Sequence, residues 1–314
     1  MTYIETTLGK INIKSLGRLD VHEHVIIDGG GIERLFPDFI HNDVDKISIE
    51  LIDWKKNGGG AIIDCSPIEA GRNIEKLEKI SQITHIPIIA VTGFHKPSYY
   101  SPNYWFFGKT VEEIKEIFFL EYSKGINIGK YFSENEKRSL VRAGIIKLGI
   151  DRFGITPLIK KLITASIDLI KEYNIPLMLH TEPGVPFEKL FLWFKDNNVP
   201  PEKVLFCHMD KVLDIGLHKL LTSNGFFIEY DSMVRKNPAL SDLAMMIKEL
   251  FSKGLGSRIL FAGDLARRSY WKCYGGEPGL SYLMLDLNDD LYKLGLTSME
   301  IEKIWVENPK SWLN

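Results

Sequence analysis

Short apolar segments alternate with amphipathic segments along most of the chain. The apolar segments are typical of buried parallel strands and lie at residues 19–27, 60–66, 86–92, 143–149, 175–181, 204–208, 225–231 and 259–264. Between them, apolar residues recur at helical spacing, as at residues 43–57, 71–85 and 157–173. The alternation of about eight strands with helices predicts an α/β protein with a closed (β/α)8 TIM barrel.

The ends and connections of this barrel can also be predicted. Polar and apolar residues alternate over residues 2–13, which predicts a short N-terminal hairpin that closes one end of the domain. Gly71 is expected as the N-cap of its helix, and further helices are predicted after Thr110 and around residues 133–136. A doubly wound open sheet is the alternative, but no Gly-rich phosphate loop follows the first strand. Without a linker of biased composition, residues 1–314 are predicted to form a single domain.

Composition excludes some classes of partner. Hydrophobic residues make up 45% of the 314 residues and charged residues 25%, as in an ordinary globular protein with a large core. A net charge of -2 gives no reason to expect a nucleic acid or an anionic membrane as partner. Cys65, Cys207 and Cys273 show no CxxC spacing, and the N-terminus lacks the pattern of a signal peptide. We therefore predict a cytoplasmic protein.

In such a barrel the chemistry is expected at the carboxyl ends of the strands. His22 and His24 lie near the end of the first strand, two residues apart, so both imidazoles should point to one side and converge. Neutral imidazoles aimed at one point suit a transition metal, with zinc as the first choice. The other polar residues at strand ends are Lys147, His180, His208 and Asp264.

Most of these residues also have a simpler interpretation when each is taken alone. A His-x-His pair arises by chance in many sequences, and His180 and His208 are compatible with hydrogen-bonded core histidines. Asp264 is compatible with a cap on the next helix. A solvent or loop role is expected for the four histidines that lie away from strand ends, His41, His85, His95 and His218.

Lys147 is harder to explain as a structural residue. Its neighbours Ile146 and Leu148 predict burial, and a buried ammonium group is costly. One use for such a lysine is a Schiff base with a carbonyl substrate. The other is carboxylation by carbon dioxide, which gives a carbamate that can bridge two metals. The histidines at the same end favour the metal centre, because a Schiff-base aldolase does not need them and two ions need about three or four ligands each.

In order and spacing, these residues closely resemble the phosphotriesterase family of the amidohydrolase superfamily. The resemblance runs from the first strand to Glu307 in the last helix. Its motifs are His22-x-His24, Gly144-Ile145-Ile146-Lys147, His180-Thr181-Glu182, His208 and Asp264.

The resemblance implies a two-metal hydrolase. Two divalent ions, expected to be zinc with manganese or cobalt as alternatives, would be bridged by carboxylated Lys147 and a hydroxide that attacks the substrate. Asp264 would also take the proton of that hydroxide and pass it to the leaving oxygen. The implied ligands of the more buried ion are His22, His24 and Asp264, and those of the more exposed ion are His180 and His208.

The loops after the seventh and eighth strands indicate the substrate. Barrels often bind phosphate there, and Lys236, Arg267 and Tyr270 supply suitable donors. The two segments resemble the branch of the family that opens phosphorylated sugar lactones, in which a Lys, an Arg and a Tyr bind the phosphate. Solvated surface charges are the simpler interpretation. Two departures affect the pocket: Lys211 stands where many relatives have Arg, and the loop at 29–31 is expected to be flexible.

The sequence therefore predicts an enzyme, a binuclear metal-dependent hydrolase that opens the ring of a phosphorylated furanose lactone. The alternative within the family is a phosphotriester or acyl-lactone hydrolase, although the loop after the eighth strand lacks the long hydrophobic insertion of an acyl-homoserine lactonase. Two hypotheses place the protein outside this family: a Schiff-base lyase that acts through Lys147, and a non-catalytic binding protein. A small-molecule substrate is the expected partner, and a homodimer is expected by analogy with the family.

Overall fold

The strands follow the predicted order. The structure, a computed structural model, describes residues 2–129, 131 and 136–314. The hairpin strands are β1 (Tyr3–Thr6) and β2 (Gly9–Asn12), and the barrel strands are β3 (Arg18–Glu23), β4 (Gly59–Asp64), β5 (Ile88–Phe94), β6 (Ile145–Gly149), β7 (Leu177–His180), β8 (Val204–Phe206), β9 (Phe227–Tyr230) and β10 (Ile259–Phe261). Each barrel strand pairs in parallel with the next in the chain, so the sheet runs in order from β3 to β10. The predicted (β/α)8 barrel with an N-terminal hairpin is confirmed.

Helices occupy the connections between the strands. They are α1 (Gly31–Leu35), α2 (Val44–Lys56), α3 (Ile74–Thr84), α4 (Val111–Ser123), α5 (Pro157–Tyr173), α6 (Phe187–Asp196), α7 (Ile215–Ser223), α8 (Leu240–Ser252), α9 (Asp286–Lys293), α10 (Ser298–Glu302) and α11 (Asn308–Leu313), with a π-helical turn at Lys303–Glu307. Within the described ranges, none of the helices combines the length and the apolar character that crossing a membrane requires.

Two helix predictions need comment. Helix α3 begins at Ile74, because the side chain of Asn73 accepts a hydrogen bond from the first turn and acts as the N-cap. The prediction of Gly71 as the N-cap is wrong, since Gly71 lies in the preceding loop with φ +91°. The helix predicted around residues 133–136 falls, apart from Glu136, outside the described residues.

Contacts between the first and last barrel strands close the sheet. The Asp264 amide donates to the His22 carbonyl oxygen at 2.8 Å, and the Gly263 amide donates to the Asp20 carboxylate at 3.3 Å. A side chain at Gly263 would collide with the Glu23 carboxylate, because a Cβ there would lie 2.0 Å from Glu23 Oε1. No backbone ladder pairs β10 with β3 among the described residues, and the buried carboxylates of Asp20 and Glu23 accept hydrogen bonds there instead.

The barrel interior is closed at one end only. Alternate residues of the strands form an apolar cluster inside the barrel, separate from the larger layer between strands and helices. Ile4 and Ile13 from the hairpin region and Trp312 from α11 join this inner cluster at the amino ends of the strands. The opposite end, where the carboxyl ends of the strands meet, is left for polar side chains.

A candidate metal centre at the carboxyl ends of the strands

The six predicted ligands lie together, although they come from five different strands. Lys147 belongs to β6, His22 to β3 and His180 to β7, while His24, His208 and Asp264 lie within three residues after the ends of strands. The imidazole centroids are 5.6 Å apart for His22 and His24, 5.0 Å for His22 and His208, and 4.5 Å for His180 and His208. The structure therefore gathers four imidazoles, one amine and one carboxylate in one place.

Two of these residues adopt a left-handed backbone. His208 has φ +62° and Asp264 has φ +47°. For a residue with a Cβ this conformation costs about 1–3 kcal/mol, and it persists where the surroundings enforce it. Here each residue lies two or three positions after the end of its strand, and the turn brings its side chain toward the other candidate ligands. Strain of this kind is concentrated at functional sites.

His22 and His24 each use one ring nitrogen as a tether. His22 Nδ1 donates to the buried Glu229 carboxylate at 2.8 Å. His24 Nδ1 lies 3.1 Å from the Ser66 hydroxyl, which itself donates to a backbone carbonyl and so accepts from the ring. Both Nε2 atoms are left with lone pairs, and they face Asp264 Oδ1 at 3.8 Å and 3.5 Å.

His180 and His208 repeat this arrangement. His208 Nδ1 donates to the Asp231 carboxylate at 2.5 Å, and His180 Nε2 lies 3.4 Å from Glu182 Oε1. The remaining two nitrogens, His208 Nε2 and His180 Nδ1, face each other at 2.7 Å. Two lone pairs at this distance repel each other unless a proton or a cation lies between them. In metal sites an imidazole commonly binds the ion with one nitrogen while a carboxylate holds the other.

Burial keeps all four imidazoles neutral. It lowers the pKa of His22 and of His208 to about 3. The pKa values of His24 and His180 also fall well below the ordinary value, for the same reason. Near neutral pH each ring therefore offers a lone pair, which is the form that binds a metal.

Lys147 is fully buried beside these rings. Its Nζ lies 3.1 Å from His22 Nε2 and 3.6 Å from Cys207 Sγ. The ion pairs of the described residues include none in which Lys147 takes part. The carboxylates of Glu229 and Asp264 act on Lys147 from a longer range, so an ammonium group here would be buried without a direct ion pair.

Asp264 is held by Arg235, a residue that the sequence did not single out. Arg235 Nη2 contacts Asp264 Oδ2, and Arg235 Nη1 donates to Asp231 Oδ1 at 3.1 Å. One carboxylate oxygen of Asp264 is thus occupied, while Oδ1 faces the imidazoles. Burial alone would raise the pKa of Asp264, but the Arg235 guanidinium holds it below its usual range. The carboxylate is ionised and available.

These donors fit a metal ion. Ligand atoms of His22, His24 and Asp264 all lie within 4.8 Å of one another. Two metal–ligand bonds of about 2.2 Å can span about 4.4 Å, so the separations of 3.5 Å and 3.8 Å between Asp264 Oδ1 and the two Nε2 atoms suit a shared ion. Imidazole nitrogen with carboxylate oxygen is a typical donor set for zinc and its first-row neighbours.

A cavity of about 340 Å³ opens above these ligands. Arg267 and Tyr270, two of the three predicted phosphate-binding residues, line it together with His24, His180 and Asp264. Lys236, the third, is exposed and is not among the lining residues. Two of the three predicted residues therefore share the cavity with the candidate ligands.

The two departures noted in the sequence also lie at this cavity or beside it. Lys211 lines the wall, with Nζ 3.8 Å from Asp231 Oδ1. The loop at 29–31 is packed rather than loose, because a Cβ at Gly31 would lie 2.0 Å from the Tyr99 carbonyl oxygen. Glycine at this position permits close approach of the loops that follow β3 and β5.

Three of the remaining histidines are buried, so the solvent role expected for them is wrong, although His95 does lie in a loop. His41 contacts the His24 carbonyl oxygen through Nε2, and His218 bonds to the Tyr230 hydroxyl at 2.7 Å. His95 is buried beside the cavity, with its ring 5.0 Å from that of His180. His85 alone of the four is exposed. Isolated histidines gave no sequence signal for these tertiary contacts.

The tethering side chains were also missed. Glu229 and Asp231 lie in and directly after the apolar strand β9, two residues apart, and both are fully buried. The signal that exposed Lys147, a charge within an apolar strand, applies equally to Glu229. Ser66 and Arg235 gave no comparable signal, because a serine after a strand and an arginine in a loop are common.

The comparisons with known proteins agree with this geometry. The model of the phosphotriesterase family matches residues 2–313. A phospho-furanose lactonase of Mycoplasmopsis synoviae is 30% identical over 98% of this chain and 90% of its own length. One of Mycoplasmopsis agalactiae is 28% identical over 99% of this chain and 91% of its own length.

Solved structures give the same result. An amidohydrolase from Mycoplasma synoviae superposes with a TM-score of 0.94 at 28% identity, covering 99% of this chain and 92% of the other. A lactonase from Listeria monocytogenes superposes with a TM-score of 0.90 at 27% identity, covering 99% of both chains. The predicted fold and the predicted family are both confirmed. This chain belongs to the phosphotriesterase family.

Proposed function

We propose that the chain is a binuclear metal-dependent hydrolase that opens the ring of a small phosphorylated furanose lactone. The observation that carries the proposal is the set of four neutral imidazoles, each tethered through one nitrogen and each presenting the other to a common centre. Membership of the phosphotriesterase family and the lactonase relatives support the class of reaction. The proposed unit is a single barrel domain spanning residues 1–314.

The proposed ligands follow the two pairs of imidazoles. Zinc is the first choice for both ions, with manganese or cobalt as alternatives. When bound, two such ions activate water near neutral pH and polarise the carbonyl group that is attacked. The first ion would be held by His22, His24 and Asp264, and the second by His180 and His208.

Lys147 is proposed to be carboxylated and to supply oxygen ligands to both ions. Carboxylation replaces a buried cation by an anion and removes the cost of burying an ammonium group that makes no direct ion pair among the described residues. The position fits this role, since Nζ lies 3.1 Å from the bare nitrogen of His22 and the strand places it among the other ligands.

Asp264 is the proposed catalytic residue. As water adds to the lactone carbonyl carbon, the Asp264 carboxylate takes a proton from it and passes that proton to the ring oxygen as the ring carbon–oxygen bond breaks. The product is a hydroxy acid, and its new carboxyl group ionises by releasing the second proton of the water to solvent. Arg235 supports this role, because it fixes one oxygen of Asp264 and keeps the carboxylate ionised.

The cavity favours a small anionic substrate. Four of its lining residues are cationic and two are acidic, and its volume of about 340 Å³ suits a small molecule. Arg267 and Tyr270 are the proposed phosphate donors there, one charged and one neutral. Lys236 is proposed as the third and weakest donor, because its side chain is exposed and outside the cavity lining. Two relatives named phospho-furanose lactonase support the same substrate class.

A chelation and substrate screen tests the proposal. Purified protein would be assayed on phosphorylated and unphosphorylated γ-lactones, on an acyl-homoserine lactone and on a phosphotriester. We expect the highest kcat/KM for a phosphorylated sugar lactone, loss of activity on chelation, and recovery with zinc, manganese or cobalt together with bicarbonate. Full activity after complete removal of metal would contradict the proposal. A preference for the phosphotriester or the acyl lactone would contradict the proposed substrate class and favour the alternative within the family. A homodimer and a cytoplasmic location stay predictions.

A further inference from the structure

One wall of the cavity carries an ion pair whose carboxylate, that of Glu182, also tethers His180, but no step of the proposed reaction involves its charges directly. Lys96 follows β5 and Glu182 follows β7, and Lys96 Nζ contacts Glu182 Oε1. Both residues line the cavity, with 14% of the Lys96 side chain and 33% of the Glu182 side chain exposed. The pair is therefore partly open to whatever occupies the cavity.

This pair is held in a fixed position. The Lys96 amide donates to His95 Nδ1 at 2.8 Å, and Lys96 Nζ lies 5.0 Å from the Tyr99 ring centroid. Tyr99 stacks on His95 at 4.3 Å, while Glu182 Oε1 lies 3.4 Å from His180 Nε2. Contacts to aromatic rings on one side and to a candidate ligand on the other keep both charged groups close to the reacting centre.

The pair faces the phosphate side of the cavity. In a ring of eight strands ordered from β3 to β10, β6 lies opposite β10, and β5 and β7 flank β6. Arg267 and Tyr270 follow β10 and line the same cavity as Lys96 and Glu182. A substrate whose phosphate is bound on the β10 side therefore extends its ring toward this ion pair, across the candidate metal centre.

An ammonium group beside a carboxylate matches a hydroxyl group well. A hydroxyl can donate to the carboxylate and accept from the ammonium group at the same time, and two neighbouring hydroxyls can share the pair. An apolar chain or an unsubstituted ring in the same place would displace water from both charged groups without forming hydrogen bonds to replace it. The pair is therefore expected to strengthen the binding of hydroxylated substrates and to weaken the binding of acyl lactones.

We propose that Lys96 and Glu182 bind the free ring hydroxyls of the substrate and restrict the enzyme to polyhydroxylated lactones. This inference rests on the proposed lactonase function and adds a second determinant to it, separate from the phosphate. Hydrogen bonds to charged groups of this kind are worth about 10- to 100-fold in selectivity.

The test compares two substrates that differ only in hydroxyl groups, a pentono-1,4-lactone 5-phosphate and its 2,3-dideoxy analogue. We expect the metal-loaded wild-type enzyme to prefer the hydroxylated lactone by about 10- to 100-fold in kcat/KM. In Lys96→Met and in Glu182→Gln the ratio of the two kcat/KM values should fall close to one. A ratio between two substrates is insensitive to the fraction of each variant that is folded.

A matched pair elsewhere on the surface supplies the control. Lys219 Nζ and Glu249 Oε1 lie 2.6 Å apart between α7 and α8, outside the cavity lining. Lys219→Met and Glu249→Gln should keep the wild-type ratio. A wild-type ratio near one, or an unchanged ratio in the Lys96 and Glu182 variants, would overturn this inference and leave the lactonase proposal standing. Failure of the wild-type enzyme to open either lactone would overturn both.

Discussion

The candidate ligands and the candidate phosphate-binding residues lie at the same end of the barrel but are positioned by different means. His22 and Lys147 belong to strands, where parallel pairing fixes which residues are neighbours, and their relative exposures are 1% and 0%. Lys236, Arg267 and Tyr270 belong to loops, and 45% of the Arg267 side chain is exposed. Strand register is a fixed constraint on side-chain position, whereas a loop has no repeating geometry. The strands therefore determine the chemistry and the loops the substrate.

Among the residues held by strands, replacement of Lys147 should have the largest effect on activity and metal content. Lys147→Ala takes away the proposed bridging group, so we expect kcat/KM to fall by at least about 10³-fold and the metal content to fall below two ions per chain. The measurements are lactonase kinetics and elemental analysis of the purified variant. Full activity in Lys147→Ala without an added carboxylate would contradict the proposed centre.

Lys203 provides the matched control for this change. It is also a buried lysine, and its Nζ has no hydrogen-bond partner among the described side chains and backbone groups. It precedes β8 and so lies at the opposite end of the barrel from the ligands. Lys203→Ala should leave both metal content and kcat/KM close to the wild-type values.

A smaller effect is expected for the tether of His22. Glu229→Gln weakens the acceptor that orients His22 through Nδ1, so metal affinity should fall by about 10- to 100-fold. Competition with a chromophoric chelator measures this affinity without reference to turnover. Glu50→Gln is the control, because Glu50 is a buried carboxylate that accepts from backbone amides at 2.7 Å and 2.9 Å away from the cavity lining. Equal loss of affinity in both variants would argue against a positioning role for Glu229.

Changes in the loops should affect the choice of substrate and leave the metal content intact. Arg267→Ala removes a charged donor, and we expect a loss of about 10- to 100-fold in kcat/KM for the phosphorylated lactone, with little change for an unphosphorylated one. Tyr270→Phe should act in the same direction but less. Arg268→Ala, which removes a neighbouring cation outside the cavity lining, is the control. An equal loss on both substrates would mean that Arg267 does not bind the phosphate.

The smallest effect is expected for Lys236. Because its side chain is exposed and outside the cavity lining, Lys236→Ala should lower kcat/KM for the phosphorylated lactone by less than about tenfold. Kinetics on the same pair of lactones measures this. A loss as large as that of Arg267→Ala would show that the loop closes over the substrate, and the distinction between the two loop residues would then disappear.

The same difference between strands and loops determines how much of the structure the sequence could predict. Apolar strands and the polar residues at their ends located the barrel and all six residues that the structure brings together, because the period of the apolar pattern and the end of each strand are local properties of the chain. The N-cap of α3 was missed because Gly71 and Asn73 both favour such a position and only the tertiary loop decides between them.

The supporting residues of the site were harder to predict. Glu229 could have been found, since it is a charge inside an apolar strand. His95 and Arg235 could not, because each lies in the connection after a strand and reaches the cavity only through packing that the sequence does not encode locally. The same limit applies to Lys236, whose place in a family pattern did not indicate its exposure.

Anomalous X-ray scattering from crystals of the zinc-loaded protein tests the metal centre most directly. We expect two peaks, one among His22, His24 and Asp264 and the other between His180 and His208. Electron density for a carboxyl group should extend from Lys147 Nζ toward both peaks. An active enzyme with no ion at these residues, or with two ions and an unmodified Lys147 amine, would contradict the proposed centre.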